Sequence, residues 1–214
     1  MKHLNDTNGA SKLTLATAGR CMSEFEGMIT GAEFGVAYGG GIEAIAKMWG
    51  ARGKIYGFDT FEGHPKQVGE ICEESKRSGG VHSFAATCMD SWYGMPEYGT
   101  EAIKYDYIRK NLDDLGLMNA ILIKGLVTDK TDVSFIKRLH YCFIDLDFPL
   151  SNRQAFELVK DKIVLGGYLL LHDCVPETHI PGCYKVYKDI VSTGMFDVVG
   201  EYLPEYLVIL KRIK

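Results

Sequence analysis

Between residues 28 and 59 the chain reads as a strand, a glycine turn, a helix, and a second strand ending in a carboxylate. Met28-Ile29-Thr30-Gly31-Ala32 is apolar and strand-like. Glu33-Phe34-Gly35-Val36-Ala37-Tyr38-Gly39-Gly40-Gly41 forms the turn, and Ile42 to Trp49 has helical character. Lys54-Ile55-Tyr56-Gly57-Phe58 then ends on Asp59. Glycines let a backbone turn tightly and let a ligand lie against it, and a helix N-terminus offers free N–H groups. An acidic residue at the end of the second strand is placed to hold two ribose hydroxyls. The order predicts a nucleoside-containing ligand.

Glu33 narrows the choice of ligand. A dinucleotide brings an anionic pyrophosphate to such a turn, which a nearby carboxylate repels. S-adenosylmethionine brings an ammonium and a sulfonium, which a carboxylate attracts. The glycine spacing is also not G-x-G-x-x-G, which counts against a dehydrogenase. On this reading the cofactor side comprises Glu33, Gly35, Tyr38, Gly39, Gly40, Asp59 and Thr60, with Asp145 reaching it from a neighbouring strand.

The rest of the chain repeats the alternation. Residues 12–27 suit a first helix. Tyr105–Leu115 suits a helix with Ile108, Leu112 and Leu115 on one face. Asn119–Lys124 is a buried strand, Asp132–Leu139 a short helix, His140–Asp145 a strand and Arg153–Lys162 a helix. Gly167–Leu171 is a strand leading to His172-Asp173, and Gly182–Thr193 a helix. Phe196–Val199 and Tyr206–Leu210 close the chain as two strands joined through Pro204. Continuous apolar strands between helices predict an α/β fold: a doubly wound, mostly parallel sheet covered on both faces. Ligands of such sheets sit beyond the carboxyl ends of the strands.

Residues 60–103 interrupt this order. They are rich in Gly, Ser, His, Tyr and Met and carry Pro65 and Pro96. So long a segment inside a domain predicts a lid or substrate-binding insert. Trp92, Tyr93, Met95 and Tyr98 offer it a flat apolar surface, and its aromatics would also allow a homodimer.

At 214 residues the expectation is a single domain, 1–214. The net charge of -4 gives no attraction to nucleic acid or to an anionic membrane. Six scattered cysteines without a C-x-x-C pair suit a reducing, cytoplasmic setting. The sequence shows no leader and no long uncharged apolar run.

A second constellation stands at two later strand ends. Tyr141 to Ile144 runs into Asp145-Leu146-Asp147, and Tyr168 to Leu171 into His172-Asp173. If these strands are neighbours, Asp145, His172 and Asp173 converge. Clustered carboxylates call for a proton or a cation, and a divalent ion such as Mg²⁺ is one solution, with these three residues as its ligands. Strand alternation turns Asp147 to the other face. His64, His82 and His179 fall in loops around the same mouth, and His172 or His179 could act as a general base.

These residues resemble the macrocin O-methyltransferase family of class I S-adenosylmethionine-dependent enzymes, which methylate sugar hydroxyls on antibiotics. The likeness rests on Glu33-Phe34-Gly35-Val36 with Gly39-Gly40-Gly41, then on Phe58-Asp59-Thr60-Phe61-Glu62-Gly63-His64-Pro65. It continues through Lys124-Gly125, Ile144-Asp145-Leu146-Asp147, Gly166-Gly167, His172-Asp173 and Gly182-Cys183. The resemblance implies a seven-stranded sheet with a reversed final strand and cofactor contacts from Glu33, Gly35 and Asp59. It also implies Mg²⁺ held by Asp145 and an acidic pair at positions 172 and 173. The chain departs from that pattern at His172, and at Asp145-Leu146-Asp147-Phe148-Pro149-Leu150-Ser151 where the family has D-x-D-x-Y-x-S.

The leading expectation is therefore methyl transfer from S-adenosyl-L-methionine to a hydroxyl of a small-molecule acceptor, a sugar or sugar-containing metabolite. A metal-independent N-methyltransferase, an NAD(P)-dependent oxidoreductase and a non-catalytic nucleotide-binding protein remain the alternatives.

Overall fold

The computed structural model describes residues 11–62, 104–176 and 181–214. Seven strands form one sheet: β1 (Ile29–Phe34), β2 (Gly53–Asp59), β3 (Ala120–Lys124), β4 (Leu139–Ile144), β5 (Ile163–His172), β6 (Phe196–Tyr202) and β7 (Leu207–Arg212). Their order is β3-β2-β1-β4-β5-β7-β6. The first five are parallel, and β7 runs antiparallel to both β5 and β6. This is the mostly parallel sheet expected from the sequence, with the reversed final strand that the family resemblance implies.

Helices cover both faces. Helices α1 (Lys12–Glu24), α2 (Gly40–Trp49) and α3 (Tyr105–Asp114) lie on one, α4 (Pro149–Val159) and α5 (Pro181–Ser192) on the other. Helix α2 buries Ile42, Ile45, Ala46 and Trp49, the i, i+3, i+4, i+7 stripe of an amphipathic helix. The Trp49 indole N–H donates to the Ala18 carbonyl at 3.0 Å, which ties α2 to α1. On the opposite face Phe156 and Val159 of α4 and Val186 and Ile190 of α5 pack on Ile144, Leu169 and Leu171. Burial of such side chains is worth roughly 1.5–3 kcal/mol each, and it makes the sheet a rigid platform for its edges.

Three local expectations are corrected. Residues 132–138 form no helix: the Asp132 carboxylate accepts from the Ser134 N–H at 2.8 Å, and this side-chain turn competes with helical pairing. Helix α4 begins at Pro149 rather than Arg153, because proline has no N–H to lose at the first helical position. Leu115 caps α3 and is 48% exposed, so only Ile108 and Leu112 anchor that helix.

Candidate functional site

Strand order reverses between β1 and β4, with β2 and β3 to one side and β5 to the other. The carboxyl ends of β1, β2, β4 and β5 therefore form one rim. The backbone there is strained. Ala37, Phe61, Asp147 and Asp173 all have positive φ just past those four strand ends, and Tyr206 has it just before β7 at the same rim. These are all the non-glycine residues of positive φ among the described residues. Such conformations cost on the order of 1–3 kcal/mol each and cluster where function holds them.

The glycine turn is built around close approaches. Gly35 has φ +94, and a Cβ on it would lie 1.9 Å from the Asp145 carbonyl oxygen. That proximity brings the end of β1 against the end of β4, where the Asp145 N–H donates to the Phe34 carbonyl at 2.8 Å. Gly39, with φ 83, caps α2 without a side chain, so the helix opens towards the rim with its first N–H groups uncapped by any side chain.

Asp59 organises this turn. One carboxylate oxygen accepts from the Val36 and Ala37 N–H groups at 2.8 and 3.0 Å, and the other from the Phe61 N–H at 2.8 Å. Two of these donors belong to residues of positive φ, Ala37 and Phe61. The Thr60 hydroxyl lies 3.4 Å from the same carboxylate and accepts from the Glu62 N–H at 3.2 Å. Asp59 thus joins the chain after β1 to the chain after β2.

Glu33 sits differently from its expected place at the mouth. Strand β1 extends to Phe34, so Glu33 lies inside the strand, and its side chain turns under the first turn of α2. It is 2% exposed, and one carboxyl oxygen has no hydrogen-bond partner. A Cβ on Gly41 would meet the other oxygen at 2.5 Å, so glycine there makes room for the carboxyl. Burial first, then Asp145 and Asp59, push its pKa well above the ordinary carboxylate range. Asp59, Asp145 and Asp173 carry the rim's negative charge instead.

This has a pH signature. The folded protein holds the Glu33 proton more tightly than the unfolded chain does. That contribution to stability is full below the unfolded carboxylate pKa and is lost as pH rises through the folded value. Stability relative to Glu33→Gln should therefore fall with rising pH, with a limiting slope of about 1.4 kcal/mol per pH unit. Denaturant unfolding of both ligand-free proteins from about pH 4 to about pH 8 measures this. A difference independent of pH contradicts the buried acid.

The second constellation comes together as its strands predict. Leu171 pairs with Ile144, which brings Asp145, His172 and Asp173 to one place. Ligand atoms of the three lie within 4.8 Å of one another. His172 Nδ1 is 3.2 Å from Asp145 Oδ1 and 3.3 Å from Asp173 Oδ2. Burial opposes charge on the ring, but Asp145 and then Asp173 outweigh it and hold the imidazolium above its ordinary range. The His172 and Phe143 rings also meet edge to face, with centroids 6.4 Å apart.

Asp147 does not follow strand alternation, because β4 ends at Ile144 and Asp147 occupies a turn with φ 60. Sequence reading overlooked Asn152. Buried at 1%, it accepts from the Leu146 N–H at 3.1 Å and faces the Cys183 sulfur at 3.3 Å, fixing the loop after β4 to α5. Its only signal was a polar residue near the start of a helix beside the acidic strand end. Tyr38 lies in the turn, half-buried. His64, His82, His179, the aromatics of the insert and most of residues 60–103 lie outside the described residues.

No protein-family model matches the sequence, and no curated protein matches it. Solved structures do match. The O-methyltransferase NovP superposes with a TM-score of 0.70 at 15% identity, covering 94% of this chain and 79% of that one. The calicheamicin methyltransferase CalS11 gives 0.67 at 17% identity, with 93% and 77% covered. An O-methyltransferase from Bacillus cereus, solved with S-adenosylhomocysteine (SAH), gives 0.59 at 13% identity, with 96% and 82% covered. The chain has the fold of the class I methyltransferases. rRNA methylases also share it, so the fold leaves the acceptor open.

Proposed function

We propose that the protein transfers the methyl group of S-adenosyl-L-methionine to a hydroxyl of a small molecule, a sugar or sugar-containing metabolite. The observation that carries this is the Gly35–Gly41 turn held on Asp59 at the point of strand reversal, with Asp145 and Asp173 beside it. A glycine turn that a ligand can approach closely suits a nucleoside, and the surrounding carboxylates suit a sulfonium better than a pyrophosphate. Dinucleotide sheets of this kind have the order 3-2-1-4-5-6, whereas here a reversed β7 lies between β5 and β6. That counts against the oxidoreductase alternative. The macrocin-type motifs support the sugar reading, as does CalS11, a TDP-rhamnose 3'-O-methyltransferase by description.

The chemistry is an in-line displacement. The acceptor oxygen attacks the methyl carbon, the carbon–sulfur bond breaks, and its electron pair stays on sulfur, leaving neutral SAH. The hydroxyl proton passes to a carboxylate at the rim, Asp145 or Asp173. The protein's contribution is chiefly to bring oxygen and methyl into line. Incubation with methyl-labelled S-adenosylmethionine and a pool of sugars and nucleotide sugars should place label on oxygen as a methyl ether. Label on an amine nitrogen would replace this reading by N-methylation. Cofactor binding without transfer to any acceptor would leave a binding protein.

A further inference from the structure

We propose that the His172 ring occupies the cation position between Asp145 and Asp173, so that this acidic cluster binds no Mg²⁺-class metal. The position of the ring is what decides it. Nδ1 lies 3.2 Å from one carboxylate oxygen and 3.3 Å from the other, so the ring faces both acids at once. An unprotonated Nδ1 there would set its lone pair against two anionic oxygens. Nδ1 therefore carries a hydrogen, whether the ring is neutral or charged, and a protonated nitrogen cannot ligate a metal.

Donor chemistry agrees. Mg²⁺ takes oxygen ligands in near-octahedral geometry and keeps several waters. The cluster offers two carboxylates with a nitrogen heterocycle filling the space between them. The edge-on contact with Phe143 restrains the ring from the β4 side. Asp173 at φ 53, in the first residue after β5, turns its carboxylate back towards the ring.

The test is direct metal binding, which needs neither methyl donor nor acceptor, so its outcome is separable from whether the protein is a methyltransferase. Mn²⁺, read by electron paramagnetic resonance and calorimetry, is titrated into wild type, His172→Asp and His172→Asn, each confirmed as folded by circular dichroism. Removing the ring opens the space between two acids. His172→Asp should bind Mn²⁺ about 100-fold more tightly than wild type, and His172→Asn, which adds an oxygen but no charge, about 10-fold. Asp145→Asn on top of His172→Asp should abolish the gain. Wild-type affinity equal to or tighter than that of the variants overturns the proposal. So does a wild-type Mn²⁺ spectrum showing nitrogen coordination.

Discussion

Gly35→Ala is expected to lower stability by ~3–5 kcal/mol, a fall in melting temperature on the order of 10 °C for a chain of this size. Two costs combine. At φ +94 a side chain strains the backbone, by about 1–2 kcal/mol. The new Cβ would also fall 1.9 Å from the Asp145 carbonyl oxygen, and that partner is backbone, which cannot swing aside as a side chain can. Either β1 and β4 part at their carboxyl ends or the turn rearranges. Both moves displace Asp145 from His172, so binding of SAH should weaken along with stability. Gly27→Ala is the control: its φ is +74, but nothing lies within 4 Å of a Cβ there, so only the strain of about 1 kcal/mol remains. Thermal melts of the two variants separate the effects. Equal small losses would show that β1 and β4 do not approach as described.

Asp59→Ala is expected to cost about 2–4 kcal/mol of stability and to weaken S-adenosylmethionine binding by about 100-fold or more. The carboxylate holds three N–H groups, those of Val36, Ala37 and Phe61, and hydrogen bonds to charged groups are worth about 1.5–3 kcal/mol each, though not additively. Removing it strands those donors and frees Ala37 and Phe61 to leave their positive-φ conformations. The nucleoside then loses both a partner for its ribose hydroxyls and the turn that supports it. Asp59→Asn separates the two roles. Its single carbonyl oxygen can still serve Val36 and Ala37, so most of the stability should remain, while affinity still falls. Calorimetry together with melts of the two variants measures this. Unchanged affinity in Asp59→Ala would remove Asp59 from the site.

The sheet was visible in the sequence because its strands are continuous apolar runs bounded by glycine and acid. Gly167–Leu171 and His140–Asp145 could hardly be anything else once helices were seen around them, although β5 begins four residues earlier than that reading, at Ile163. Asp145, His172 and Asp173 were found for the same reason: polar residues at the ends of buried strands have one edge to occupy. Glu33 shows the limit. Its identity pointed to the site, but whether it faces the cleft or lies beneath α2 depends on where β1 ends, and a shift of two residues decides it. The strained Ala37 and Phe61 carried no signal, since nothing in either residue type predicts positive φ. The position of the His172 ring between two acids depends on a register across β4 and β5 that only the fold supplies.

Calorimetric titration of the purified protein with SAH, and separately with NAD, tests the central claim most directly. An acidic rim around a glycine turn at the end of β1 should take up SAH at a single site with a dissociation constant on the order of micromolar, while NAD gives no heat. Binding of NAD alone, or no binding of SAH to a protein shown to be folded, would contradict it.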